Sequence, residues 1–379
     1  MTNVAEVQDL VSKGTSNKPL KVLVHGERGI GITTFFAHAP DVLFLSLDGG
    51  TDRMDVTKWQ GELATLSDLE VAIEQLASSR HDFRSIAVEG VEAIEGLIID
   101  RIEERLQRDA EETDGPTTFD EYNDEARGGG WDLVRTEWRG LFQRLDALRA
   151  RGMNILMSAP TQLVERRSVQ DFPIHRFVPQ IRGGQGVGNL LRGWFDHILY
   201  VADEEVLDVV DDVIVTCKRC KTTLAVVEGS SVDLFDKGIT SCSHSWCIRR
   251  ETKKTPTGKS VRFMHCTQTP WHDAKCHGGI EWPDRILFDV EHGWRRFSTN
   301  ARLIREHGRA LPTFLRQEGE KLIAQLGPRP DREVDYTLRQ SRARSALEEA
   351  IAGRDYVRGQ QIIDYVRGEL EEDRKEAEK

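Results

Sequence analysis

The sequence has no apolar run approaching the ~20 residues that a membrane span needs, although it is 379 residues long. A helical membrane anchor is therefore not expected. Its start, MTNVAEVQDL, has no basic segment followed by an apolar one, so no secretory leader is expected and the expected location is the cytoplasm. Cysteine is scarce, six in the whole chain. In a reducing compartment these read as core residues or metal ligands rather than disulfides. Positive charge is in deficit, with a net charge of −11. That argues against general coating of nucleic acid but leaves room for a local basic groove. The length allows a large core, as one big domain with appendages or as two domains.

The segment Lys21 to Thr34, KVLVHGERGIGITT, organises the chain. Val22, Leu23 and Val24 read as a buried strand. It runs into Gly26-Glu27-Arg28-Gly29-Ile30-Gly31, then Ile32-Thr33-Thr34 and the helix-like FFAHA. Strand, glycine loop and helix form the context of a phosphate-binding P-loop. Glycines let backbone N–H groups curl around an anion, and the new helix aims its positive end there. Thr33 would place a hydroxyl on Mg²⁺. The P-loop lysine is missing, because Ile32 occupies its position. An ordinary glycine-rich strand-to-helix turn is the plainer alternative.

Further apolar runs follow: Val42–Leu45, Ser85–Val88, Asn154–Ala159 and His197–Val201 read as strands. Ser67-Asp68-Leu69-Glu70 reads as a capping box opening a helix to about Ser79. Glu89 follows the third strand, at a strand end where an α/β sheet presents chemistry. Residues 92–109 read as a helix, and 110–130, acidic and turn-rich, as a surface loop. Val134, Trp138, Leu141, Leu145 and Leu148 alternate at four and three, which predicts an amphipathic helix. Residues 163–188 read as a polar loop. Strands alternating with helices predict a mostly parallel sheet with helices on both faces.

Beyond residue 204 the pattern breaks. Cys217-x2-Cys220 and Cys242-x4-Cys247 make two close pairs, suited to Zn²⁺ with His244 as a substitute ligand, or incidental to a long hairpin. Cys266 and Cys276 read as core. Lys218, Arg219, Lys221, Arg249, Arg250, Lys253, Lys254 and Lys259 form a dense basic stretch that fits a nucleic-acid backbone or a solvated hairpin equally well. Residues 296–379 read as a charged helical appendage.

This order of features resembles phage-encoded RecA-like ATPases, AAA-type proteins linked to single-strand annealing and recombination. The residues that carry the resemblance are the P-loop strand, Gly49-Gly50, Glu89, the helix before Gly152, and Ser158-Ala159-Pro160-Thr161-Gln162. Thr267–Lys275 and Gly278–Pro283 are similar to that family's closing strands. The resemblance implies a RecA-like P-loop domain over residues 18–295, after a lead-in at 1–17, with 204–260 as a cysteine-bearing insertion. It implies ATP and Mg²⁺, with Asp48 and Glu89 managing metal and water and Gln162 sensing the γ-phosphate. It also implies single-stranded DNA, a homo-oligomer and a phage or host single-strand-binding protein as partners. Four positions depart from the family: Ile32 stands for its lysine, Glu89 for its aspartate, Ser46 for an acidic residue, and Pro160 for a polar one. Isoleucine cannot neutralise phosphate charge, so binding is expected to outlast hydrolysis.

Overall fold

The computed structural model describes residues 18–47, 49–126, 129–168, 170–217, 223–228, 246–277, 282–289, 291–326 and 336–377. At 208–217, 223–228 and 246–255 it describes the backbone alone. Strand β1 (Lys21–Gly26) is buried along its whole length. It lies between β4 (Asn154–Arg167) and β6 (His197–Cys217). Both pairings are parallel, and Gly26 stands level with Pro160 on one side and Val201 on the other. Beyond β4 come β3 (Ser85–Glu89) and β2 (Val42–Ser46), also parallel. Parallel strands are covered on both faces, which is why each reads as a continuous apolar run. The fold is mixed α/β with a central, mostly parallel sheet, as the alternating strands and helices predict.

Side chains of β1 alternate between two cores. Leu23 points to one face, with α2 (Leu66–Ser78), α3 (Val91–Thr113), α5 (Gly130–Ala150) and α6 (Gly184–Trp194), while α4 (Phe119–Glu125) joins them through Phe119. Val22 and Val24 point to the other, with Phe35 and Phe36 of α1 (Ile32–Ala37). That second core continues into α7 (Gly293–His307), α8 (Leu311–Ile323), α9 (Tyr336–Ala352) and α10 (Tyr356–Ala377) through Phe297, Leu315, Leu347 and Ile363. The segment expected as an appendage thus closes one face of the sheet. Its charges lie outward, in pairs such as Arg316–Glu348 and Arg344–Glu320.

Three local expectations are corrected. The capping box opening α2 is Thr65–Asp68, two residues early: Thr65 Oγ1 accepts from the Asp68 amide at 3.2 Å, and Asp68 accepts from the Thr65 amide at 2.8 Å. In place of a loop over 110–130, α3 runs on to Thr113. α4 then forms behind a second capping box, Thr118–Glu121, anchored by buried Phe119 against Trp131. In place of a polar loop over 163–188, β4 continues to Arg167 and turns into antiparallel β5 (Pro173–Pro179), followed by α6. The alternation Leu163 and Glu165 outward, with Arg176 and Val178 buried, is a strand signal that the arginines conceal.

Residues 203–262 make a separate compact unit. In it the outer part of β6 pairs antiparallel with β7 (Thr223–Glu228), and the outer part of β8 (Trp246–His265) follows. In the larger unit, β9 (Lys275–Cys276) pairs antiparallel with β6, and β10 (Arg285–Leu287) with β8. Cys220 and Cys242 lie outside the described residues, as do the side chains of Cys217, Cys247 and most of the basic stretch. Among the described residues no helix is long and apolar enough to cross a membrane. Nor does any group of three or more His, Cys, Asp or Glu stand ready to hold a metal.

Candidate functional site

The glycine loop leaves the end of β1 where three parallel strands converge. A Cβ on Gly26 would sit 2.8 Å from the Val201 carbonyl oxygen, so no other residue fits between the neighbouring strands. Gly31 has φ +105°, a left-handed conformation that strains any side chain, and it turns the loop into α1. Its carbonyl accepts from the Phe35 amide at 3.0 Å. Ile30 is buried in the core beneath the loop and fixes its middle. Ile32 is half-buried against that same core, to which Phe35 and Phe36 also belong. Packing explains why an apolar side chain is tolerated at a position expected to carry a cation.

The loop opens onto a cleft of about 330 Å³, lined by residues 26–34 with Gly50, Met54, Glu89, Gly90, Glu92 and Ser158–Pro160. Thr33 Oγ1 donates to Glu89 Oε1 at 2.5 Å. Glu89 is 3% exposed at the last position of β3, level with Ser46 on β2. Behind it the chain turns sharply: Gly90, at φ +84°, caps α3 and its amide donates to Ser158 Oγ at 3.1 Å. Arg28 reaches across to Glu92, on the first turn of α3, at 3.2 Å. The predicted loop residues Gly26, Glu27, Arg28, Gly29, Ile30, Gly31, Ile32, Thr33 and Thr34 therefore face one cleft together with Glu89. Asp48 lies outside the described residues.

Gln162 is not brought to this cleft. Its amide donates to the Pro179 carbonyl at 3.4 Å, and it lines a separate hollow with Val164, Arg166, Arg192 and Asp273. Residues 161–167, past the level of Gly26, pair with β5 in the hairpin, and Gln162 shares its hollow with Asn189 and Leu191 of α6. Glu92 and Ser158 were not predicted as site residues. Glu92 was findable from its place three residues after Glu89, and Ser158 from standing just before Ala159-Pro160 at the end of the parallel part of β4.

A second polar cluster lies beside the loop and faces inward. His25, fully buried, has Nδ1 at 2.8 Å from Thr161 Oγ1 and Nε2 at 2.7 Å from the Asp273 carbonyl. Burial pulls its pKa from 6.5 to about 4. The buried Asp273 carboxylate accepts from Arg176 at 3.3 Å and from Arg192. Glu95 on α3 accepts from the amides of Arg182 and Gly183 at 2.7 and 3.0 Å, tying α6 down, and burial raises its pKa.

A five-strand parallel sheet in the order β2-β3-β4-β1-β6, a glycine loop after β1 and an acidic residue ending β3 define a P-loop nucleotide-binding class. The comparison with protein families agrees. The family described as an AAA domain matches residues 18–233, more than half of the chain, and the chain belongs to it. Its class is that of nucleotide-binding ATPases using Mg²⁺. None of the curated proteins compared with the chain matches it.

Proposed function

We propose that the protein binds ATP with Mg²⁺ at the glycine loop, turns it over slowly, and acts on single-stranded DNA in phage-type recombination or strand annealing. The observation that carries the nucleotide reading is the Thr33 hydroxyl 2.5 Å from Glu89 over an otherwise complete glycine loop with Ile32 in the lysine position. Hydroxyl and carboxylate are hard oxygen donors and fit Mg²⁺, which keeps several waters and takes few protein ligands. Bound there, the metal would draw charge from the transferring phosphoryl group. Loop amides from Gly26 to Thr34 would hold the phosphates, Glu89 would orient the attacking water, and Asp48 is assigned to the same work from its place after β2. The absent lysine removes charge stabilisation needed most in the transition state, so turnover falls further than binding.

The DNA reading is supported by the β4–β5 hairpin. It carries Arg166 and Arg167, and it exposes Leu163, Phe172 and Phe177 next to exposed Trp271. Aromatic faces interleaved with cations suit unpaired bases and their backbone. The basic stretch from Lys218 to Lys259 is a second candidate contact for a nucleic-acid backbone, on the strength of its sequence. A homo-oligomer and a single-strand-binding protein are the partners this role calls for, in the cytoplasm of an infected bacterium. Zn²⁺ at Cys217, Cys220, Cys242 and Cys247 rests on their spacing alone. Ile32 favours a second reading, a DNA-binding scaffold that keeps the fold without nucleotide turnover.

Titration with a fluorescent ATP analogue, alongside a phosphate-release assay, separates the readings. Saturable Mg²⁺-dependent binding with slow release is expected. Absence of binding leaves the scaffold; release at rates ordinary for AAA proteins refutes the role given to Ile32.

A further inference from the structure

The cleft of the glycine loop is short of positive charge. Among the described residues lining it, Glu27, Glu89 and Glu92 bring three carboxylates, and Arg28 brings the one cationic side chain. Ile32 supplies none. We infer that Arg28 is the side chain that meets the nucleotide's phosphates, and that Glu92 holds its guanidinium at the rim until they arrive. This inference rests on the reading of the cleft as a nucleotide site.

Arg28 stands between Gly26 and Gly29, in the loop that would wrap the phosphates, so its backbone is already in place. Its guanidinium lies 3.2 Å from Glu92 Oε1, in the first turn of α3 and three residues on from Glu89. The Arg28 side chain is 74% exposed and that of Glu92 21%. A pair this open is screened and weak. A phosphate offers the planar guanidinium two parallel acceptors and more negative charge than one carboxylate, so it wins the exchange. Lysine in the ordinary position reaches up from the helix. Here the cation comes from the loop's outer side, where it neutralises charge without standing between the reacting atoms. That arrangement supports binding more than turnover.

Glu92 has a definite sign in this scheme. It competes with phosphate for Arg28 and repels the phosphates as a like charge. Its removal therefore strengthens nucleotide binding, whereas a metal-ligating Glu92 would weaken it when lost.

The test is a titration of the full chain with a fluorescent ATP analogue in Mg²⁺, with ATP and AMP as competitors, for wild type, R28A, R28K and E92Q. R28A is expected to weaken binding roughly ten- to hundredfold, the range of one hydrogen-bonded charge contact. The loss should be larger for ATP than for AMP, and R28K should recover part of it. E92Q should bind a few-fold tighter than wild type. Thermal melting of R28A should match wild type, because the side chain is exposed. Wild-type affinity in R28A, equal losses for ATP and AMP, or a tenfold loss in E92Q would each overturn the inference while leaving the cleft a nucleotide site. Absence of analogue binding to wild type would remove the nucleotide reading itself, and this inference with it.

Discussion

Two polar clusters sit at the end of β1 within a few residues of each other, and they are built in opposite ways. Around Asp273, two arginines, His25 and Thr161 are turned inward, and the carboxylate is 2% exposed. Around Thr33 and Glu89, the loop and the first turn of α3 face an open cleft, and the arginine present is 74% exposed. The inward cluster locks the β4–β5 hairpin and the segment after Trp271 to the sheet. The outward cluster lines a cleft, with Arg28 exposed at its edge and Glu89 recessed at 3% exposure. Charged residues at a strand end are functional candidates in both places by type; what separates them is whether the cluster packs into the fold or lines an open cleft.

The contrast is broken most forcefully at Asp273. Asp273→Ala leaves Arg176 buried without its carboxylate and should cost about 3–5 kcal/mol of stability. Urea unfolding measures it, and a variant as stable as wild type would show that the cluster holds nothing. Thr33→Val, in the outward cluster, removes one hydrogen bond from Glu89 and should cost less, about 1–3 kcal/mol.

Acid probes two buried rings next: His25 in the inward cluster, and His197, which starts β6 and packs on Trp282 and Phe297. Burial holds His25 neutral down to about 4 and His197 down to about 3, against 6.5 in the unfolded chain. The unfolded state therefore takes up protons first as pH falls. Stability is complete above about pH 6.5 and declines below it by about 1.4 kcal/mol per pH unit for each ring, down to the folded values. Unfolding measured from pH 7 to 5 should show this slope, and His25→Gln should flatten it by about half. A pH-independent midpoint would mean the rings are protonated in the fold.

The smaller effect lies in the cleft. Thr33→Val should weaken Mg²⁺-dependent nucleotide binding by about tenfold, the value of one hydroxyl contact to a charged group. Isothermal titration with and without EDTA reads it. Equal affinity with and without the hydroxyl would remove Thr33 from the metal's environment.

Much of this was legible because parallel strands announce themselves. The five core strands, the glycine loop and Glu89 follow from apolar runs and what ends them, since burial on both faces forbids polar residues between. The hairpin was hidden because Arg166, Arg167 and Arg176 look like loop residues. Only the tertiary fold shows Arg176 buried on Asp273, a residue 97 positions away. The C-terminal helices were read by their charge, while their inward residues, Phe297, Leu315 and Leu347, are spread too thinly to announce a core without the sheet face they cover. Gln162 was misplaced because the end of the parallel part of β4 is set by Pro160 opposite Gly26, a register that a sequence does not display. Glu92 escaped because an acidic residue in the first turn of a helix is usual for the dipole alone.

The central claim is that this cleft is a nucleotide site whose turnover is limited at position 32. Phosphate release by wild type, Ile32→Lys, and Ile32→Lys with Glu89→Gln tests it most directly, each with and without single-stranded DNA. A cation at the first turn of α1 would stabilise charge that develops during transfer. Ile32→Lys is therefore expected to raise release by at least about tenfold, within the range of a single transition-state contact, and Glu89→Gln should abolish the gain while the analogue still binds. A folded Ile32→Lys protein that binds nucleotide and releases phosphate no faster than wild type would contradict the account.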